Sequence, residues 1–188
     1  AKTKDAAIDA SNLTDEEKAD LKKKVADEVT QAKAAIDAAK KADDVTTAKN
    51  TGVGKINNIN VPETSATKEA AKQAIDQAAK AKNDAIDASN LTDEEKADLK
   101  KQVAGEVQTA KSNIDAATKD ADVNTAQTTG EEAINNINVP ETSATKDAAK
   151  DAAKDAIDQA AKTKDAAIDA SNLTDEEKAD LKKKVADE

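Results

Sequence analysis

Cysteine, methionine, histidine, arginine, tryptophan, tyrosine and phenylalanine are all absent from the 188 residues. Without cysteine, or a histidine to act as base for a serine, the usual routes of nucleophilic catalysis are closed. Zinc and copper lose their customary nitrogen and sulfur ligands for the same reason. Nucleic-acid binding calls for basic stripes, arginine forks or stacking rings, and a chain of net charge −10 without aromatics supplies none. Sugar-stacking platforms are missing too. The lack of cysteine suits a reducing cytosol and a disulfide-free bacterial surface protein equally. No apolar run approaches the ~18–20 residues of a membrane span. No signal peptide is visible, but the chain starts and stops inside repeats, as a fragment would, so little follows from that.

What remains is 37% hydrophobic and 36% charged, with four glycines and two prolines. High charge without aromatics is also the composition of disordered chains. Here, however, the aliphatic residues fall at helical spacing, and Ala, Lys, Glu and Gln are strong helix formers. The expectation is an all-α fold.

One stretch organises the chain. Ser-Asn-Leu-Thr-Asp-Glu-Glu-Lys-Ala-Asp-Leu-Lys-Lys occurs at residues 11–23, 89–101 and 171–183. It reads as a helix start: Thr14 can accept a backbone N–H bond, and Glu17 can reach back to the N–H of Thr14, the capping-box pattern. Asp15, Glu16 and Glu17 place negative charge in the first turn, where the helix dipole favours it. The copies Thr14, Thr92 and Thr174 lie 78 and then 82 residues apart. Residues 1–28 are identical to 161–188, and 57–68 to 135–146. An additional Lys-Asp-Ala-Ala unit near 147–154 accounts for the four extra residues. That is about one helical turn, an insertion a helix tolerates.

Three helices can be read in each repeat. Helix A starts near Thr64 or Ser65 and runs to about Ala88, with Ala71, Ala74, Ile75, Ala78, Ala85 and Ile86 as its apolar face. Helix B, from Asp93 to about Thr118, carries Leu99, Val103, Val107, Ala110, Ile114 and Ala117, which average about 3.6 residues per turn. Helix C, about Asp122 to Asn138, carries Val123, Ala126, Gly130, Ile134 and Ile137. A glycine in a helix interior costs ~1 kcal/mol, so Gly130, like Gly52 in the preceding copy, suggests close approach of a neighbouring backbone. Val139-Pro140 ends the helix, because the residue before proline avoids the α region. The expected domains are a partial repeat at 1–61, a complete three-helix repeat at 62–139 and a second partial repeat at 140–188. Three helices per repeat place entry and exit at opposite ends. Short Asn-Val-Pro-Glu-Thr connections then imply tandem three-helix bundles arranged end to end as an elongated rod. The incomplete end repeats are expected to fray or to borrow partners from a neighbouring chain.

The chemical motifs are weak. Asn12-Leu-Thr14, Asn90-Leu-Thr92 and Asn172-Leu-Thr174 match a glycosylation acceptor, but a turn followed by a helix cap explains them fully. Asp120, Asp122, Asn124 and Glu131 have calcium-loop spacing, yet Thr125 stands where such a loop needs glycine. The equivalent Ala42, Asp44, Thr46 and Val53 could not bind calcium. Glu94 and Glu95 read as a solvated first turn, and Lys22, Lys23 and Lys24 as a solvated face. No catalytic, cofactor-binding or metal-binding residue is assigned, and the chain is not expected to be an enzyme.

The ordered set Asn-Leu-Thr-Asp-Glu-Glu-Lys, Ile-Asp-Ala-Ala, and Asp-Val with Ala, Gly130 and Ile-Asn-Asn-Ile following resembles a known family. It is the alanine-rich three-helix repeat of Gram-positive cell-wall-anchored surface proteins, as in giant matrix-binding-homologue and staphylococcal surface-protein adhesins. The resemblance covers the whole chain and supplies no binding residues. It implies an extracellular array, anchored to peptidoglycan, with roles in adhesion or biofilm formation. The function expected is a structural stalk that projects an adhesive domain from the cell wall, its partners being the neighbouring repeats. The alternative is a module that itself binds host matrix proteins or sister stalks, with avidity from repetition. Against it stands the lack of aromatic and arginine anchors. A protective or disordered polypeptide comes third.

Overall fold

The computed structural model describes residues 1–187, and every regular element among them is an α-helix. In chain order these are α1 (Lys2–Asp9), α2 (Asp15–Ala38), α3 (Ala42–Asn57), α4 (Ala66–Ala88), α5 (Asp93–Ala116), α6 (Asp120–Asn135), α7 (Ala144–Asp169) and α8 (Asp175–Asp187). Thus α1, α4 and α7 are copies of helix A, α2, α5 and α8 of helix B, and α3 and α6 of helix C. Helix B ends two residues earlier than its periodicity suggests, and helix C begins two residues earlier. The chain breaks at Lys119, whose backbone is extended at φ −117° and ψ 149°. That break puts Asp120 and Asp122 in the first turn of α6, where the helix dipole favours them. The inserted Lys-Asp-Ala-Ala is absorbed into α7, which runs unbroken for 26 residues.

Each A-to-B turn is tied at both ends. The serine hydroxyls of Ser11, Ser89 and Ser171 donate to the carbonyls of Ile8, Ile86 and Ile168 at 2.6–2.7 Å, closing the end of helix A. Three residues on, Thr14 completes the expected capping box with Glu17, and Thr92 with Glu95 makes the same pair of bonds. Five residues therefore reverse the chain with few backbone groups left orphaned.

The chain divides into two compact units. The first takes in residues 1–85 and 99–138 and holds most of α1 to α6. In its N-terminal trio, Ile8 of α1, Val25 of α2 and Ile56 of α3 form a core, with Leu21, Val29, Ile59 and Val61 packed around it. Lys4 of α1 donates to the carbonyls of Asn57 and Ile59, capping the C-terminal end of α3. In the second trio, Ala71, Ile75 and Ala79 of α4 are buried with Val103, Ala110 and Ile114 of α5 and Val123 and Ile134 of α6. Of the expected face of helix A, Ala71, Ile75 and Ile86 are buried and Ala74 and Ala78 half-buried; Ala79 joins them, and Ala85 is exposed. Successive steps of four keep the buried row on one side of a straight helix, whereas residue 85 has turned outward. Lys82 repeats the bond of Lys4, donating to Asn135 and Ile137. Ion pairs Lys72–Asp115 and Lys111–Asp76 flank the α4–α5 contact.

Gly130 explains how so thin a core closes. A Cβ built there would overlap the Cβ of Ala110 on α5 and lie 2.8 Å from Cδ1 of Ile75 on α4. Gly52 meets Ala32 of α2 in the same manner. The expected close approach is real, and its partner is an alanine methyl and an isoleucine tip. Gly54 and Gly105 face open space.

The second unit takes in residues 86–98 and the chain from Val139 onward. Ile86, Leu91 and Ile168 are buried in it. The end segments expected to fray are helical: α8 runs to Asp187 and packs on α7. The first half of α7 is nevertheless bare. Ile157 occupies the place that Ile75 has in α4, within the same Ala-Ile-Asp-Gln-Ala sequence, yet is 68% exposed where Ile75 is fully buried.

Two substitution pairs test this packing. Ile75→Ala is expected to cost about 2–5 kcal/mol in urea unfolding, and Ile157→Ala less than about 0.5 kcal/mol. Gly105→Ala should stabilise by up to ~1 kcal/mol through helix propensity. Gly130→Ala should instead destabilise by about 1–3 kcal/mol, because the methyl overpacks against Ala110.

Candidate functional site

The motifs with possible chemistry fall apart on the fold. Asp120, Asp122 and Asn124 lie within α6, where Asp122 points about 200° away from the other two, so the three do not surround one cation as the residues of a calcium loop do. Among the described residues no cluster of three or more acidic side chains could hold a metal. Thr14, Thr92 and Thr174 of the three acceptor-like motifs are engaged as helix caps. Lys23 and Lys24 are exposed, and Lys22 pairs with Asp9 of α1 at 2.5 Å.

Polar groups do converge where one repeat meets the next. An α-helix leaves its first N–H groups without intrahelical partners. At the start of α2 the first of these, from Asp15, donates to the carbonyl of Thr118, in the turn between α5 and α6, at 2.8 Å. Glu16, next along, accepts the N–H of Asp120, the first residue of α6, at 3.1 Å. That bond supplies a missing cap, because Lys119 at the N-cap of α6 has no capping side chain of its own. Glu17 divides its carboxylate between two helices. Oε2 accepts the N–H of Thr14 at 2.9 Å within its own capping box, and Oε1 accepts the N–H of Thr67 in the first turn of α4 at 3.3 Å.

The second copy of this arrangement lies in the second unit. Glu95 accepts the N–H of Thr92 through Oε2, and the N–H and hydroxyl of Thr145 through Oε1 at 3.4 and 3.0 Å. Lys146 adds a bond to the carbonyl of Asn90 at 2.8 Å. Glu177, in the third copy, binds only Thr174 among the described residues. Burial follows the same order. Leu13 and Leu91 are 4% and 6% exposed, and Leu173 is 40% exposed.

Glu95 is therefore no merely solvated first-turn carboxylate, which corrects the sequence reading; Glu94 beside it is exposed as expected. Sequence reasoning found the cap and missed the second helix it serves. For Glu16 the available clue was a lysine at the start of helix C, where a capping side chain belongs; for Glu95 there was none. Electrostatics reflects the shared carboxylates. The N–H of Thr92, then the hydroxyls of Ser143 and Thr145 and the N–H of Thr145, hold Glu95 down to about 2, against an opposing effect of burial. For Glu17 burial acts upward most strongly, but donors from Thr14, Ser65 and Thr67 together leave its value lowered.

A depressed carboxylate stabilises the fold above its unfolded value of 4.5 and ceases to do so as pH falls toward about 2. Acid should accordingly loosen the Glu95 junction between pH 4.5 and about 2. Thr145→Pro removes both Thr145 donors while suiting the first turn of α7. A carbon-detected titration of Glu95 should then show its pKa rising from about 2 toward 4.5. An unmoved titration curve would refute the assignment.

Comparison with curated proteins and with solved structures returned no match. The family described as Domain of Unknown Function (DUF1542), a repeat found in Gram-positive surface proteins, matches residues 1–64 and again residues 67–142. Each match contains a helix B and helix C pair, which agrees with the doubled three-helix pattern of α1 to α6. With two copies matched over most of its length, the chain belongs to the DUF1542 family of surface-protein repeats.

Proposed function

We propose that the chain is a non-catalytic spacer from a cell-wall-anchored adhesin of a Gram-positive bacterium. Its tandem bundles stand end to end and hold an adhesive domain away from the wall. The observation that carries this reading is the use of helix-start polar groups to bind the next repeat, at Glu17 and again at Glu95. Polar side chains turned toward the neighbouring repeat serve the continuity of the array. The family's occurrence in surface proteins supports the extracellular placement.

A matrix-binding role for the repeat itself has less support. The exposed large aliphatics among the described residues are Val45, Val53, Ile157, Leu173 and Leu181, and none belongs to the complete repeat at 62–139. Protein interfaces are anchored by buried large side chains, most often aromatic or arginine, and the complete repeat offers no such anchor.

Small-angle scattering on arrays of one, two and three complete repeats tests the spacer. The maximum dimension should grow by roughly 36 Å per repeat, the length of a 24-residue helix. Growth well below that, as the repeats fold back on one another, would overturn the reading. So would micromolar capture of a matrix protein by a single repeat.

A further inference from the structure

The geometry points to the first turn of helix B as a docking surface for the following repeat, through which one repeat stabilises the next. Its partner is defined chemically. It must offer a helix N-terminus with a free N–H in its first turn, as at Thr67, and a B-to-C turn that offers a carbonyl and an uncapped N–H, as at Thr118 and Asp120.

Three bonds make the surface. Each satisfies an N–H that a helix start leaves without an intrahelical partner, and the three belong to different helices: Asp15 of α2, Thr67 of α4 and Asp120 of α6. Two of the three acceptors are carboxylates, so those bonds are charge-assisted. The surface is also directional. Glu16 and Glu17 reach toward the repeat that follows in sequence, and α6 takes from Glu16 the cap that Lys119 cannot give. The start of α3, in the first repeat, has Lys41 at the same place and no capping side chain. The two helix C starts thus differ: the first N–H of α6 is bound by Glu16, and α3 has no side-chain cap.

A tandem array built this way unfolds as coupled neighbours rather than as independent beads. The coupling does not depend on the spacer reading, since it concerns folding and not position on a cell.

Residue-resolved amide exchange on the full chain tests it. Val25→Ala weakens the core of the first repeat without touching the junction. In the otherwise native chain it should speed exchange in the middle of α5 and α6, in the second repeat, by roughly tenfold, the loss of about one charge-assisted hydrogen bond. The same substitution is then made in a Glu16→Ala/Thr67→Pro background, which breaks two junction bonds and leaves the Thr14–Glu17 box. There, most of that transmitted effect should be gone. Exchange in α5 and α6 that ignores Val25→Ala in the native chain would overturn the proposal. So would a transmitted effect of undiminished size in the double variant. Should proline at 67 reduce helicity by circular dichroism, Glu16→Ala/Glu17→Ala breaks the same two bonds from the other side, with α5 and α6 still the readout.

Discussion

The close approach of helix C to helix B is the constraint on which the rest of this fold rests. With no aromatic, methionine or cysteine to fill space, three narrow aliphatic stripes must bury one another. They do so because Gly130 lets the backbone of α6 come down onto Ala110, with the tip of Ile75 closing the third side. Glycine in a helix is costly by propensity, and the cost is offset by contact that no larger residue would allow. The same arrangement at Gly52 and Ala32 shows that the repeat carries this device with it.

A second economy governs the ends of the helices. Short helices have many orphaned N–H groups for their length, and a small core cannot afford to bury them unpaired. Within a repeat, serine closes helix A and threonine opens helix B. Between repeats, Glu16 and Glu17 extend the same capping logic to helices that belong to the neighbour. Hydrogen bonding that stabilises one helix is thereby shared across the junction. At Glu95, where backbone and hydroxyl donors from Thr92, Ser143 and Thr145 gather, the carboxylate is held down to about 2.

Much of this architecture was legible in the sequence. The three-helix period, the capping box, the buried glycine and the A-to-B turn all rest on local spacing, and local spacing is what a helix expresses. Misreadings occurred where a neighbour decided the outcome. Ala79 rather than Ala85 faces the core, because the direction of burial depends on where α5 and α6 lie. Glu95 passed for a solvated group because nothing within its own turn announces Thr145, fifty residues away.

The sequence alone determined the helices, the capped starts of helix B, the repeat, and the exclusion of most catalytic chemistry by missing residue types. Those properties depend on residues within a turn or two of each other, or on composition. Tertiary structure alone decided which identical residues differ. Ile75 and Ile157 share one local sequence, as do Leu13 and Leu173, yet one of each pair is buried and the other exposed. Burial belongs to the packed surroundings and not to the residue.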